Sequence, residues 1–179
     1  SWNSDEDANA VGMMKRAVAL APDDARVWGM LALSYMRLLR SAPSEQQEEL
    51  RQRGQAAAAR ALELDPSQPD ARAAIIHSMP VFRNWLNYER ACTEALRRQP
   101  DHFELCLLKA GLLWQVGRVA EILPLARRAA PRAPTHPEVQ VGLAVTLLEL
   151  GRLEEGERQL EHCFSLWPRR SWIWFTRFN

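Results

Sequence analysis

The spacing of four prolines constrains this chain more than any other feature of its sequence. Pro66, Pro100, Pro134 and Pro168 follow one another at intervals of 34 residues. A fixed period of this size indicates a protein made by stacking copies of one supersecondary unit. Pro22 precedes Pro66 by 44 residues, which is one period plus ten. The chain is therefore predicted to be a repeat protein with one insertion of about ten residues.

Each period has the pattern of two helices joined by a tight turn. Apolar or small residues at the spacing i, i+3, i+4 and i+7 give the first helix one apolar face. In the first complete period these residues are Trp28, Leu31, Ala32 and Tyr35. Gly117 and Gly151 fall at the turn between the two helices, where glycine tolerates a positive φ. The proline that closes each period stops the second helix.

These motifs resemble the tetratricopeptide repeat (TPR), a helix-turn-helix unit of 34 residues. The segment 61–66, Ala-Leu-Glu-Leu-Asp-Pro, resembles the consensus end of the second TPR helix throughout. The resemblance covers nearly the whole chain. It implies an all-α fold, a right-handed superhelical solenoid of antiparallel helix pairs with about ten helices. It also implies a protein-protein interaction scaffold rather than an enzyme.

The repeat boundaries predict a single TPR array over residues 1–179 that is out of phase at both ends. A lone second helix (1–22) is followed by a complete repeat at 25–66, with the insertion near 41–50. Three further repeats are expected at 69–100, 103–134 and 137–168, and a lone first helix at 169–179. The last two of the ten helices are expected at about 152–166 and 169–178.

The insertion is expected to lengthen a second helix to about 20 residues, or roughly 30 Å. Ser44 and Gln47 have the spacing of a capping box at its start. The polar run at 45–49 would then project from the edge of the array. It is either a tolerated, solvated extension or a contact arm for a partner.

The repeat at 69–100 is also irregular. Pro80 is expected to end its first helix early, because proline cannot donate the next helical hydrogen bond. Tyr88 occupies a position where a small residue is usual. Trp85 is predicted to be a core aromatic residue.

The resemblance implies that the first helices line a concave groove. The predicted partner-binding residues in that groove are Met30, Leu33, Met36, Arg37, His77, Leu107, Trp114, Val141, Val145 and Leu148. Most of them are apolar, and a folded protein rarely exposes a large apolar patch without a partner. A helix or hydrophobic segment would fill the groove, or the same residues are buried between neighbouring first helices. His77 is the groove residue able to titrate near neutrality, which leaves open a pH-sensing role beside an ordinary polar one.

One known mode of the family clamps the C-terminal carboxylates of chaperones with lysine and asparagine side chains. The corresponding positions here hold Gly29, Leu33, Ala74, Glu104 and Leu108. None of these side chains is a cation or an asparagine, so binding of chaperone tails is excluded.

The C-terminal segment is rich in large apolar residues. Trp174 is expected to pack on the preceding second helix, as the repeat pattern requires. A possible self-association surface is formed by Trp172, Ile173, Phe175 and Phe178. Repeat arrays need a polar cap, so either further repeats follow or this end forms a homodimer contact.

Composition limits the remaining classes of function. The net charge of +1 argues against nucleic acid or a membrane surface as a partner, and no apolar run reaches the roughly 18 residues of a membrane span. The three cysteines are far apart, so we predict neither disulfides nor a metal site, and we expect no cofactor. We expect a cytoplasmic location.

Three classes of function remain open. No catalytic motif is present, and the leading hypothesis is a scaffold that binds a protein or peptide. The alternatives are a regulatory or sensor segment of a larger bacterial signalling or transcription-regulating protein, and an accessory domain of a transferase.

Overall fold

The computed structural model describes residues 4–170, 173, 174 and 176. Within those residues the chain forms α-helices, one 3-10 turn at Val119–Glu121 and no strand. The helices are α1 (Ser4–Leu20), α2 (Ala25–Ser41), α3 (Ser44–Leu64), α4 (Pro69–Ser78), α5 (Trp85–Arg98), α6 (Phe103–Gln115), α7 (Ile122–Arg132), α8 (Pro137–Glu149) and α9 (Leu153–Leu166). The predicted all-α fold of paired helices is confirmed. Half of the expected tenth helix at 169–178 lies outside the described residues, and within the described half Ile173 and Trp174 are helical.

The chain divides into two compact units, Ser1–Ala91 (unit 1) and Cys92–Asn179 (unit 2). In unit 1, α2 packs against α1, α3 and α4, and α3 also packs against α4. In unit 2, α7 packs against both α6 and α8, and α8 packs against α9. The division of residues 1–179 into repeats of one array stays a prediction.

The turns between paired helices in unit 2 depend on glycine. Gly117 and Gly151 have φ angles of 74° and 73°, in the left-handed region where a Cβ is unfavourable. The N–H of Gly117 donates to the carbonyl of Trp114 at 3.1 Å, which closes the end of α6. The tight turns predicted at both glycines are confirmed.

The core of unit 1 depends on close contacts between α2 and its neighbours. Met36 is fully buried and its methyl group occupies the space left by Gly54 of α3, since a Cβ there would lie 2.1 Å from Met36 Cε. Gly29 makes room in the same way for the Gln68 side chain, which is 2% exposed. Gln68 Oε1 accepts the N–H of Ala71 at 2.7 Å and so caps α4.

The insertion lies in α3, which has 21 residues, as the lengthened second helix predicted. The predicted capping box is wrong. Pro43 occupies the N-cap position, so Ser44 is already the first helical residue, and no side chain caps the helix. The Gln47 side-chain amide donates instead to the carbonyl of Ala42 at 3.1 Å.

The irregular repeat shows one confirmed and one wrong prediction. α4 ends at Ser78, two residues before Pro80, as expected. Trp85, however, is 44% exposed and is not a core residue. Trp85 is the first residue of α5. Helical side chains lean towards the N-terminus of their helix, so this one lies over the preceding loop and not between packed helices. Tyr88 is 5% exposed and fills the core position three residues later.

The C-terminal residues that the structure describes pack onto α8 and α9. Trp174 stacks on Phe164 of α9 with ring centroids 4.4 Å apart, which confirms its expected packing on the preceding second helix. Ile173 is fully buried with Val141 and Cys163, so it cannot belong to the predicted self-association surface. Trp172, Phe175 and Phe178, the other residues of that surface, lie outside the described residues.

Candidate binding pocket

Unit 2 contains a pocket of about 320 Å³ between α6 and α8, closed on a third side by α7. Its walls are mainly aliphatic or small side chains. The lining residues are Cys106, Leu107, Ala110, Gly111, Trp114, Ile122, Ala126, Ala129, Glu138, Val139, Val141, Gly142, Val145 and Thr146. The pocket is a cleft between two first helices of neighbouring hairpins, the place where the sequence predicted a groove.

Four of the predicted groove residues line this pocket, namely Leu107, Trp114, Val141 and Val145. Leu148 does not. A Cβ at Gly156 would lie 2.6 Å from Leu148 Cδ2, so Leu148 packs against α9 in the space that this glycine leaves. The structure therefore brings predicted groove residues of α6 and α8 together around the pocket. Leu148 contributes instead to the packing of α8 against α9.

The predicted groove residues of unit 1 are in different surroundings. Leu33 and Met36 are 6% and 0% exposed, because α2 packs on α1, α3 and α4. These two side chains are therefore inaccessible to a partner. Their burial agrees with the alternative prediction, in which such residues are buried between neighbouring helices. Met30 is 48% exposed, and Arg37 and His77 are partly buried and take part in interactions of their own.

The pocket walls offer few polar groups. The Thr146 hydroxyl donates to the carbonyl of Gly142 at 2.7 Å, within its own helix. Burial raises the pKa of the Cys106 thiol, which therefore stays protonated at neutral pH. Glu138, in the first turn of α8, is the charged residue among the lining residues. The part of a ligand that enters this pocket must therefore be largely apolar.

A hydrogen bond joins α6 to α8 at the other end of the pocket from Glu138. The indole N–H of Trp114 donates to a carboxylate oxygen of Glu149 at 3.2 Å. Trp114 is 59% exposed, so its ring remains available to a ligand. The hydrogen bond fixes where the indole and the carboxylate lie at this rim.

Two glycines keep the pocket open. A Cβ at Gly111 or at Gly142 would meet no atom within 4 Å, whereas a Cβ at Gly29, Gly54 or Gly156 would lie closer than 3 Å to a side chain. Glycine inside a helix is less favourable than alanine by about 1 kcal/mol. Packing does not require Gly111 or Gly142, and their φ angles are not positive.

Neither glycine is among the groove residues predicted from the sequence. The available signal was their position inside amphipathic helices, away from either turn. Their effect is to leave empty the volume that two side chains would otherwise fill.

Two other kinds of site are absent from the part of the chain that the structure describes. No group of three or more His, Cys, Asp or Glu side chains in that part could hold a metal ion. No helix there has both the length and the apolar character that a membrane crossing requires.

Comparison with known proteins finds similarity in structure only. No family model matches the sequence, and no curated protein is a recognisable sequence relative. One similar solved structure is YrrB, described as a TPR protein with an unusual peptide-binding site, with a TM-score of 0.57, 20% identity, and coverage of 91% of this chain and 79% of YrrB. Another is TTC0263, a thermophilic TPR protein of Thermus thermophilus, with a TM-score of 0.61, 16% identity, and coverage of 91% of this chain and 84% of TTC0263.

Proposed function

We propose that this chain, which has the tetratricopeptide-repeat fold, is a protein-interaction module that binds a peptide segment in the pocket between α6 and α8. The segment inserts a large apolar side chain between Leu107 and Val145. The observation that carries the proposal is the open space beside Gly111 and Gly142, which the packing of the helices does not explain. The peptide-binding site for which YrrB is described supports this class of ligand for the fold.

The size of the pocket limits its occupant. Sites for small molecules usually have volumes of about 300–1,000 Å³, and this pocket, at about 320 Å³, lies at the small end of that range. It has room for one or two side chains, not for a folded element. An extended segment or one face of a helix therefore places an anchor residue in the pocket and leaves its backbone at the rim.

The apolar anchor alone gives modest affinity. Full burial of a leucine or phenylalanine side chain contributes about 1.5–3 kcal/mol, and association also has an entropic cost. Trp114 adds aromatic area at the rim, because its ring is 59% exposed. We therefore expect dissociation constants in the micromolar to millimolar range for short peptides.

The proposal can be tested by selecting binders from a displayed library of random peptides on the whole chain and measuring their affinities by fluorescence anisotropy. Selected peptides should share a large apolar residue. Gly142→Leu should weaken their binding at least tenfold, because its Cβ meets no atom of the fold within 4 Å and the rest of the side chain takes up pocket volume.

Gly12→Leu is the matched control for this substitution. Gly12 also lies inside a helix, and a Cβ there also meets no atom within 4 Å, but it is in α1 of unit 1. Both variants should keep the helical circular dichroism spectrum of the parent chain. Equal binding by parent and Gly142→Leu would exclude this pocket as the binding site.

A further inference from the structure

We infer that the segment bound in the pocket carries a basic residue beside its apolar anchor, and that this basic side chain lies on Trp114 and Glu149. The inference rests on the proposed function of the pocket and adds the chemistry of its partner. Four features of the described structure support it: the position of Glu149, the exposed indole, the ion pairs of the neighbouring arginines, and the absence of basic residues from the pocket lining.

Glu149 stands where its own helix disfavours a negative charge. It is the last residue of α8, and that helix has no basic residue in its last turn. The C-terminal end of a helix carries partial negative charge, so an anion there is destabilising and a cation is attracted. The indole N–H of Trp114, at 3.2 Å, neutralises none of this charge. A cation of a bound partner would be attracted both by the Glu149 carboxylate and by the partial negative charge at the end of the helix.

The exposed indole of Trp114 offers a second attraction for the same cation. A guanidinium or ammonium group lying over an indole face is attracted by its π electrons. Arginine is especially suited, since its planar group stacks on an aromatic ring while its N–H groups bind a carboxylate. Because the hydrogen bond joins Trp114 to Glu149, one basic side chain can reach both.

The arginines of the two turns that follow α6 and α8 are engaged elsewhere. Arg118 binds both carboxylate oxygens of Glu121, at 2.6 Å each. Arg152 Nε donates to Glu155 at 2.7 Å. These contacts lower the pKa values of Glu121 and Glu155, as paired carboxylates show. The cations nearest in sequence to the rim are therefore each held by a glutamate three residues further along the chain.

The charged residues of the pocket itself also favour a basic segment. Among the described residues, no lysine or arginine lines the pocket, and Glu138 lies at its opposite end from Glu149. The eleven residue steps from one glutamate to the other span about 16 Å of helix. An acidic segment would be repelled along α8, whereas a segment with arginine or lysine on either side of an apolar residue would be attracted.

The test uses an array of synthetic nine-residue peptides with a central Leu, Phe or Trp, flanked on both sides by Arg, Gln or Glu. The whole chain should bind Arg-flanked peptides about tenfold more tightly than Gln-flanked ones and Glu-flanked peptides most weakly. Glu149→Gln should remove most of the preference for Arg, and Glu149→Arg should shift it towards Glu. The preference should shrink in 1 M NaCl, where charges are screened within about 3 Å.

The outcomes separate this inference from the proposed function. If Gly142→Leu abolishes binding but the flanking charge has no effect, the inference is wrong and the pocket stands. If Gly142→Leu has no effect on binding, the proposed function fails. If no peptide binds the parent chain at about 1 mM, both fail. Glu149→Gln removes an anion from a helix C-terminus, so thermal unfolding should show that this variant is folded and no less stable.

Discussion

The first helices of neighbouring repeats form two pairs, α2 with α4 in unit 1 and α6 with α8 in unit 2, and the two pairs differ in how closely their helices pack. α2 packs directly against α4, whereas the pocket lies between α6 and α8. We call α2 and α4 the closed pair, and α6 and α8 the open pair. By the repeat pattern, Leu33 and Ala74 of the closed pair correspond to Gly111 and Gly142 of the open pair. Leu33 and Ala74 are 6% and 1% exposed. One repeat pattern thus gives either a closed core or an open pocket, depending on a few side chains.

The two pairs also begin differently. In the closed pair, Asp24 accepts the N–H of Arg26 at 2.9 Å, and Gln68 accepts that of Ala71 at 2.7 Å, so both helices have a side-chain cap. In the open pair the N-cap residues are His102 and His136, and neither gives its helix a side-chain cap. The helices of the closed pair are therefore held by side-chain caps at their N-termini and by packing along their length.

The largest effect is expected for Met36→Ala in the closed pair. Met36 is fully buried, and removal of such a side chain leaves a cavity and destabilises a protein by about 2–5 kcal/mol. Urea denaturation followed by circular dichroism measures the change. Met30→Ala, on the same helix at a site that is 48% exposed, should change stability by less than about 0.5 kcal/mol. Equal effects would show that Met36 is not packed in the core of unit 1.

The next largest effect is expected for a glycine-to-alanine substitution in each pair, and the two substitutions should change stability in opposite directions. A Cβ at Gly29 would lie 2.5 Å from Gln68 Oε1, so Gly29→Ala must displace the buried cap of α4. We expect it to destabilise the chain by about 1–3 kcal/mol. Gly142→Ala meets no atom and should stabilise the chain by up to about 1 kcal/mol through helix propensity. Measured in the same denaturation assay, changes of the same sign would contradict the contrast drawn between the pairs.

The smallest effect concerns the cap of α2. The side chain of Arg26 and its backbone N–H lower the pKa of Asp24 to about 2. A carboxyl group whose pKa is lowered on folding stabilises the fold above its unfolded pKa, near 3.8, and loses that contribution as the pH falls through about 2. Asn caps helices about as well as Asp, so Asp24→Asn keeps the cap and removes the charge together with the hydrogen bond that Asp24 Oδ2 accepts from the Arg26 guanidinium.

Thermal unfolding of the parent chain and of Asp24→Asn measures this contribution at several pH values. The parent should melt slightly higher at pH 6, and the difference should shrink between pH 4 and pH 2. A difference that is constant over this range would mean that the ion pair of Asp24 does not stabilise α2.

Local features of the sequence predicted the helices well. A proline that ends a helix and a glycine that takes a positive φ act on their own backbone, so Pro80 and Gly117 could be interpreted without knowledge of their neighbours. The capping box failed because its spacing does not show where the helix begins, and Pro43 occupies the N-cap position. The prediction that Trp85 is a core residue was wrong for a related reason, since a residue in the first turn of α5 points over the preceding loop.

The site was predicted less completely, because its shape depends on distances between helices. Leu33 and Val145 occupy equivalent positions in their repeats, yet Leu33 is in the core and Val145 lines the pocket. Which of the two occurs depends on the side chains of three neighbouring helices, and the repeat pattern alone does not specify them. Gly111 and Gly142 were overlooked because an absent side chain contributes nothing to an apolar pattern.

The packing of each unit also bears on how quickly the chain folds. The helices that pack together within a unit are neighbours or next neighbours in the sequence, so each contact closes only a short loop and loses little chain entropy. Helical proteins dominated by such local contacts fold in microseconds to milliseconds. Synthesis at roughly 5–20 residues per second is far slower. Folding can therefore keep pace with synthesis, with each new hairpin packing on those already made.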